Sequence, residues 1–591
     1  MSPVSRRGFL RGAAGLGVVL AATPSFAASP DEPRPDVLRV DEERAVFTHS
    51  VASGDPTPTG AVLWTRIAPA QLRGKPVLLE VATDEALTDV VLRRVVRPQD
   101  LRADRDGTVR VDVDGLLNGL SNRFLFFRFV YDGVASRTGR FRTAPAPGQA
   151  VDRLRLGVFT CQQRQAGFYG AYRHALADDL DYLVHVGDFI YENRSVGNAN
   201  GRDSDLPSGA SRMSNYADVV AVHASYRSDP DLQRAMERHT IIPTWDDHET
   251  VNNPYYDYAR DAPASGSHPR GDDADFMRRY FVEAAAGYHD WMPVRVFLDR
   301  DAERPHDAWR LYRDVRLGDL AHLFMLDGRW YRELQPATGT ENVEALSTRS
   351  QTSTMLGRQQ AAWLVDGLRG SSATWRVLGN QTLFQEWGVM LPGSARVFVN
   401  MDAWDGYRDE RDAITAELAK RPFGNLVLTG DQHAFVWGYV QTKYGAESAL
   451  GQRVALEVMT SAVTSSGLGV TVPGSEEAVE AAMFAANPHM SLFNWSRHGY
   501  TVVELTPEAA EITAYVVPRD RADAPRRVFQ RGRVPADRTE LQVLERNSPS
   551  GLPATTPVPP TGATPVLPPP GVPVRTARSS DELEALLLGR A

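Results

Sequence analysis

The chain has 591 residues, a formal net charge of −9 and a single cysteine, Cys161. That length supports two or more domains around a large core, and one thiol excludes an intrachain disulfide. An acidic balance without a long Lys/Arg run speaks against a stable nucleic-acid partner, but not against small phosphorylated substrates, because the field at a bound metal outweighs net charge.

Ser5-Arg6-Arg7-Gly8-Phe9-Leu10 is a twin-arginine pattern. The weakly apolar run Ala13–Ala22 comes next, and Ser25-Phe26-Ala27 supplies small residues at a spacing that a signal peptidase accepts. Residues 1–27 therefore read as a signal peptide. The expected partner is the twin-arginine export machinery, and the expected location is periplasmic, or extracellular and cell-wall associated. The apolar run is too short for a permanent membrane span, and no later stretch is long enough.

Residues 28–144 read as an N-terminal β-sandwich. Short runs at Ala61–Arg66, Val77–Ala82, Val109–Val113 and Phe124–Tyr131 are separated by turn formers such as Asp55-Pro56 and Asp106-Gly107. Pro145–Gln149 has the composition of a linker. Residues 150–545 then alternate strand-like runs with longer stretches, the pattern of an α/β or α+β layered domain. The runs are Leu154–Phe159, Leu183–Val186, Ile241–Trp245, His322–Asp327, Trp375–Leu378, Leu426–Thr429 and Val454–Met459. Helical stretches include Leu232–Arg238, Phe276–Ala286 and Arg358–Leu368. Residues 546–577 form a Pro-rich linker. Residues 578–591 read as a short amphipathic helix with Leu583, Leu586 and Leu587 on one face, either docked back or free.

The residues just past the strands carry the chemistry. Leu154–Phe159 leads to Cys161, and Leu183–Val186 leads to Asp188 and Tyr191. Ile241–Trp245 leads to Asp246-Asp247-His248-Glu249, and His322–Leu326 leads to Asp327 and Arg329. Trp375–Leu378 leads to Asn380-Gln381, and Leu426–Thr429 leads to Gly430-Asp431-Gln432-His433. A lone Asp after a strand is usually a turn former, and a lone Cys is usually a small buried hydrophobe. Six such ends in one layered domain instead point to a shared crevice at the carboxyl edge of the strands. Thiolate, phenolate and imidazole suit a Lewis-acidic transition metal such as ferric iron, whereas carboxylates and amide oxygens suit calcium or magnesium. Asp188 is placed to bridge the two kinds of ion. Paired metals suit an in-line displacement at a phosphoester.

At these residues the chain resembles the PhoD-like alkaline phosphatase/phosphodiesterase family of the metallophosphoesterase superfamily. The strings are GDFIYE at Gly187–Glu192, TWDDHE at Thr244–Glu249, LDGRWYR at Leu326–Arg332, TMLGRQQAAWL at Thr354–Leu364, DAWDGY at Asp402–Tyr407 and GDQH at Gly430–His433. VASGDP at Val51–Pro56 and LWTR at Leu63–Arg66 match as well. The resemblance implies an N-terminal β-sandwich followed by a metallophosphoesterase domain with two facing sheets flanked by helices. It implies ferric iron (Fe3+) on Cys161, Asp188, Tyr191 and His433, and calcium (Ca2+) facing Asp247 and Asp431. Asn380 or Gln381 would add an amide oxygen, with Asn380 taken as the ligand. His248 would hydrogen-bond a phosphoryl oxygen or protonate the leaving group.

Arg329 is the expected phosphate clamp, since Arg binds two phosphate oxygens in one plane; an ion pair with Asp327 or a helix end is its competing role. Arg497 is the weaker candidate and reads as structural. The expected function is an exported alkaline phosphatase that cleaves small phosphoesters through a metal-activated hydroxide. A phosphodiesterase acting on a polymer or phospholipid headgroup is the enzymatic alternative, and a calcium-stabilised exported binding protein the non-enzymatic one.

Overall fold

The structure is a computed structural model that describes residues 39–42, 44–336, 353–390, 396–398, 400–467 and 475–552. The expected signal peptide, the greater part of the Pro-rich linker and the terminal helix lie outside the described residues. Among the described residues no helix is long and apolar enough to cross a membrane.

Two large sheets face each other, with helices on their outer faces. The strands that bear the site are β1 (Leu154–Phe159), β2 (Tyr182–Val186), β3 (Thr240–Thr244), β4 (Ala321–Met325), β5 (Trp375–Gly379) and β6 (Asn425–Thr429). In the ten-stranded sheet β1, β2 and β3 are adjacent and parallel, with Phe159 opposite His185 and Val186 opposite Thr244. In the seven-stranded sheet β4, β5 and β6 are adjacent and parallel, with Met325 opposite Gly379 and Gly379 opposite Leu428. Parallel pairing brings like ends together, so each sheet presents three strand ends side by side.

The alternation of side chains along a strand explains the layering. Leu154, Leu156 and Val158 of β1 and Val184 and Val186 of β2 point into the space between the sheets, where they meet Leu323, Val377, Leu426 and Leu428. Phe159 and Leu183, of opposite parity, belong to the core on the sheet's other face, where Phe159 stacks on Tyr172 of the helix Gly170–Ala175 and on Tyr500. On the other sheet Phe324, Leu378 and Val427 pack under the helices Gly357–Gly370 and Arg408–Ala419. Strands buried on both faces read as near-continuous apolar runs.

The sheets are also tied together at their carboxyl ends. Thr244 Oγ1 donates to Leu326 O at 2.7 Å, and Gln381 Nε2 donates to Leu326 O at 2.6 Å and Trp245 O at 2.9 Å. The crevice is therefore held from both sides before any ligand enters it.

The N-terminal β-sandwich has its own core, built from residues such as Leu63, Val81, Val111, Phe127 and Phe141. One of its layers is shared. Val51–Thr57, Gly60–Arg66 and Thr108–Asp112 continue the ten-stranded sheet, because Ser53 and Gly54 pair in parallel with Thr240 and Ile241 of β3. Gly54 is needed at that seam: a Cβ there would stand 2.2 Å from Pro293 O. At the other edge the strand Gly499–Leu505 pairs antiparallel with β1 and brings the last of the described strands into the same sheet.

Candidate metal centre

Four of the expected ligands sit on backbone that few side chains tolerate. Cys161 has φ 53°, Asp188 56°, Asp431 67° and His433 53°. Left-handed conformations of non-glycine residues cost about 1–3 kcal/mol each and persist where the surroundings over-determine them. The glycines before two of these ligands permit the close approach. A Cβ on Gly187 would lie 2.3 Å from Asp246 Cβ, and one on Gly430 would lie 2.2 Å from Thr160 Oγ1.

Cys161, Asp188 and His433 bring one donor atom each to within 4.8 Å of one another, all buried. Tyr191 joins them. Its hydroxyl donates to Asp188 Oδ2 at 2.8 Å and lies 3.1 Å from His433 Nε2. Ser465 Oγ donates to the same phenol oxygen at 2.6 Å. His433 Nδ1 faces Ser466 O at 2.8 Å, which assigns the proton to Nδ1 and leaves Nε2 as the donor atom for a metal. Burial, reinforced by the charge of Asp188, pushes the Cys161 thiol and the Tyr191 phenol well above their ordinary ranges. Without a metal this pocket is a set of mostly neutral donors.

The neighbouring pocket is acidic. Asp246, Asp247 and Asp431 bring carboxylate oxygens to within 4.8 Å of one another. Arg329 lies among them, 2 % exposed. Its Nε donates to Asp246 Oδ1, Nη1 to Asp402 Oδ2 at 2.5 Å and Nη2 to Asp431 Oδ1 at 2.8 Å. Nη2 also lies 3.6 Å from Asp247 Oδ1. Burial raises Asp246 well above the carboxylate range and Asp431 to about 7, against the opposing pull of Arg329. Burial works in the same direction on Asp247, but Arg329 and His248 hold that carboxyl below its ordinary value.

These residues fit metal ions. Asp246 Oδ2 and Asp247 Oδ1 are buried oxygens with no hydrogen-bond partner. Buried polar atoms of this kind call for an explanation, and four carboxylates around Arg329 leave negative charge over even with Arg332 Nη2 2.7 Å from Asp402 Oδ1. A cation answers both. Asp188, Asp247 and His248 form a third buried cluster that links the two pockets.

His248 is held on three sides. Its backbone N–H donates to Asp188 Oδ1 at 3.2 Å, its Nδ1 lies 2.7 Å from Glu192 Oε2, and its ring stacks on Tyr191 with centroids 4.1 Å apart. Nε2 has no protein partner among the described residues. Burial disfavours the charged ring, but Glu192, Asp188 and Asp247 outweigh it and raise the pKa well above the ordinary value. Glu249 staples the loops together. It accepts the backbone N–H of Asp188 at 3.1 Å, of Phe189 at 2.6 Å and of Asp246 at 2.8 Å.

The two amides and two arginines singled out in the sequence take distinct places. The side-chain oxygen of Asn380 accepts from Trp404 Nε1 at 3.2 Å, and its NH2 donates to Thr382 O, so one lone pair remains for a ligand. Gln381 is a cross-link: besides its donated bonds, its Oε1 takes the N–H of Gly328 at 3.0 Å. Arg329 lies among the acids rather than in a side-chain pair with Asp327, whose Oδ1 accepts only the Arg329 backbone N–H, at 3.1 Å, and that of Trp330. Arg497 pairs with Glu476 and with the backbone oxygens of Pro549 and Leu552, a structural role.

Sequence reasoning singles out no role for Asp402, Glu192 or Ser465. The first two lie inside recognisable strings, DAWDGY and GDFIYE, while Ser465 comes after a strand end with no such signal.

Residues 156–514 match the PhoD-like phosphatase family, and residues 32–145 match the N-terminal domain of PhoD-like phosphatases. Alkaline phosphatase D of Bacillus subtilis (strain 168) is 32% identical over 534 residues, covering 87% of this chain and 84% of that protein. A solved structure titled "Structure of PhoD" superposes with a TM-score of 0.74 at 28% identity, covering 85% of this chain and 93% of that one. The chain belongs to the PhoD-like phosphatase family.

Proposed function

We propose that this phosphoric ester hydrolase is an exported alkaline phosphatase for small phosphoesters whose activity depends on two kinds of metal. Ferric iron is assigned to Cys161, Asp188, Tyr191 and His433, and calcium to Asp188, Asp247 and Asp431, with Asp246 nearby and the Asn380 oxygen in reserve. The observation that carries this reading is the convergence of a thiol, a phenol and an imidazole on one side of Asp188 and of carboxylates on the other. Bound there, such ions supply Lewis acidity, which activates water at neutral pH and offsets charge on phosphoryl oxygens.

The chain's own residues do the rest. Glu192 orients the His248 ring and favours its protonated form, so that Nε2–H can donate to a phosphoryl oxygen or hand its proton to the departing alkoxide. Tyr191 stacks on that ring and limits its rotation. Arg329 serves first as counter-charge to the acids: three of its nitrogens already face carboxylates, so a phosphate would have to displace one. Export through the twin-arginine route rests on the pattern Arg6-Arg7 with Phe9-Leu10.

Chelator treatment of the purified enzyme should abolish hydrolysis of a chromogenic phosphomonoester, and iron plus calcium should restore it. Full activity after verified metal removal would overturn the reading.

A further inference from the structure

The strip that carries Arg329 into the acids has a second side. Tyr331, two residues on, lines a cleft of about 950 Å³ whose walls are aromatic and whose charge is positive. Arg295, Arg304, Arg310, Arg313 and Arg358 meet there with two acids, Asp307 and Glu333. Asp55 and Asp112 answer Arg295 and Arg313, while Asp261 and Asp307 answer Arg304. Arg310 and Arg358 have no acid partner among the described residues, and both are exposed. Arg310 is steadied over the Tyr312 ring, 5.0 Å from its centroid.

Two further features face the same space. The helix Gly357–Gly370 starts at the cleft with Gly357, Arg358 and Gln359 in the lining. Thr354 Oγ1 accepts the Gly357 N–H at 2.7 Å and Glu410 accepts that of Leu356 at 3.2 Å, so the N–H groups left at the helix start are those of Arg358 and Gln359. First-turn N–H groups lack intrahelical partners and favour an anion. Tyr258 and Phe297 also line the cleft, and they remain 49% and 66% exposed. The wall beside them is preorganised: Tyr256, His306 and Tyr331 stack at 3.8 and 4.9 Å, and the Tyr258 hydroxyl donates to Tyr331 O at 2.9 Å.

We propose that this cleft is a second anion site, separate from the metal centre, that binds an organic phosphate with an aromatic or apolar group. Arg310, Arg358 and the first turn of the helix hold the phosphate, since paired planar guanidinium donors match its oxygens. Phe297 and Tyr258 cover the apolar part, which gives large exposed rings a partner. The site lies behind the loop that delivers Arg329. Gln360, another lining residue, clamps that loop by accepting from Asp327 N and donating to Asp327 O, each at 2.8 Å. A ligand in the cleft therefore leaves the metal ligands untouched.

The test is calorimetric titration of the metal-loaded enzyme with inorganic phosphate and, separately, with α,β-methylene-ADP, which carries a base and a phosphonate that resists hydrolysis. The wild-type enzyme is expected to bind two equivalents of the nucleotide analogue. Chelation removes the equivalent at the metals and leaves the other. The double variant Arg310→Gln, Arg358→Gln should keep only the equivalent at the metals, with kcat and KM for a small chromogenic phosphoester unchanged. Phe297→Ser should weaken the analogue at the second site by about tenfold and leave inorganic phosphate unaffected. One equivalent in the wild type, or two in the double variant, overturns the proposal. Equal binding of both probes, with no effect of Phe297→Ser, overturns the aromatic half and identifies a plain phosphate site.

Discussion

The two halves of the metal centre solve the problem of buried charge in opposite ways. The half around Cys161, Tyr191 and His433 stores its charge as protons: thiol and phenol are neutral until a metal displaces them. The half around Asp246, Asp247 and Asp431 carries its own cation, Arg329, which also reaches Asp402. Each half draws on both sheets. Cys161 and Asp188 come after β1 and β2 while His433 comes after β6, and Asp246 and Asp247 come after β3 while Asp431 comes after β6. A binuclear site can thus be assembled without leaving either half as bare repelling charge in the unloaded protein. The first half depends on its metal for charged ligands; the second depends on Arg329 for stability.

If that contrast holds, the most damaging change to the fold is Arg329→Met. It leaves the surrounding carboxylates buried without their guanidinium and should destabilise the chelated protein by about 3–5 kcal/mol, read by urea denaturation. An unchanged midpoint would break the contrast at once. His248→Asn acts on chemistry alone. It should lower kcat by about 10²- to 10⁴-fold with metal content intact, and a variant within twofold of wild type would remove His248 from the proton transfer. Asp431→Asn should cost calcium before iron, seen by elemental analysis, whereas equal loss of both would show that the halves are not separable. The smallest effect belongs to Ser465→Ala. Losing the hydrogen bond to the Tyr191 oxygen raises the phenolate donor orbital, so the visible absorption band of the iron form should move to lower energy; a band that stays in place would separate Ser465 from the metal.

Much of this arrangement is legible in the chain because it is local. Leu154–Phe159 and Phe124–Tyr131 read as strands and are strands, since short apolar runs bounded by turn formers leave few alternatives. The run expected at Ile241–Trp245 lies one residue earlier, at Thr240–Thr244. Trp245 has left the strand to pack against Trp309 and Trp330, a tertiary demand that no local pattern announces. The same limit hides the shared sheet. Ser53 pairs with Thr240 across most of two hundred residues, and neither strand names its partner. The strand ends point to Cys161, Asp188, Asp247, Asp431 and His433 because each lies just past a strand. Asp402 does not, and DAWDGY stands out in the sequence only as a family string although its first carboxylate sits on Arg329. Arg329 itself stands out as a cation beside a crevice, but its acid partners come from three separate loops, which only the folded chain brings together.

The cleft beyond Tyr331 differs from both halves of the centre. Its cations are exposed and its rings open to solvent, so its ligand must be an anion that brings its own apolar surface. Loss of Arg310 and Arg358 should leave the metal contents of the enzyme unaltered.

The central claim is that one buried site holds two kinds of metal with separable ligands. Elemental analysis of the protein purified without added metals or chelators, wild type beside Cys161→Ser, tests it most directly. The account predicts iron and calcium together in the wild type, and loss of iron with retention of calcium in the variant. Wild-type protein without iron, or a Cys161→Ser variant with undiminished iron, would contradict it.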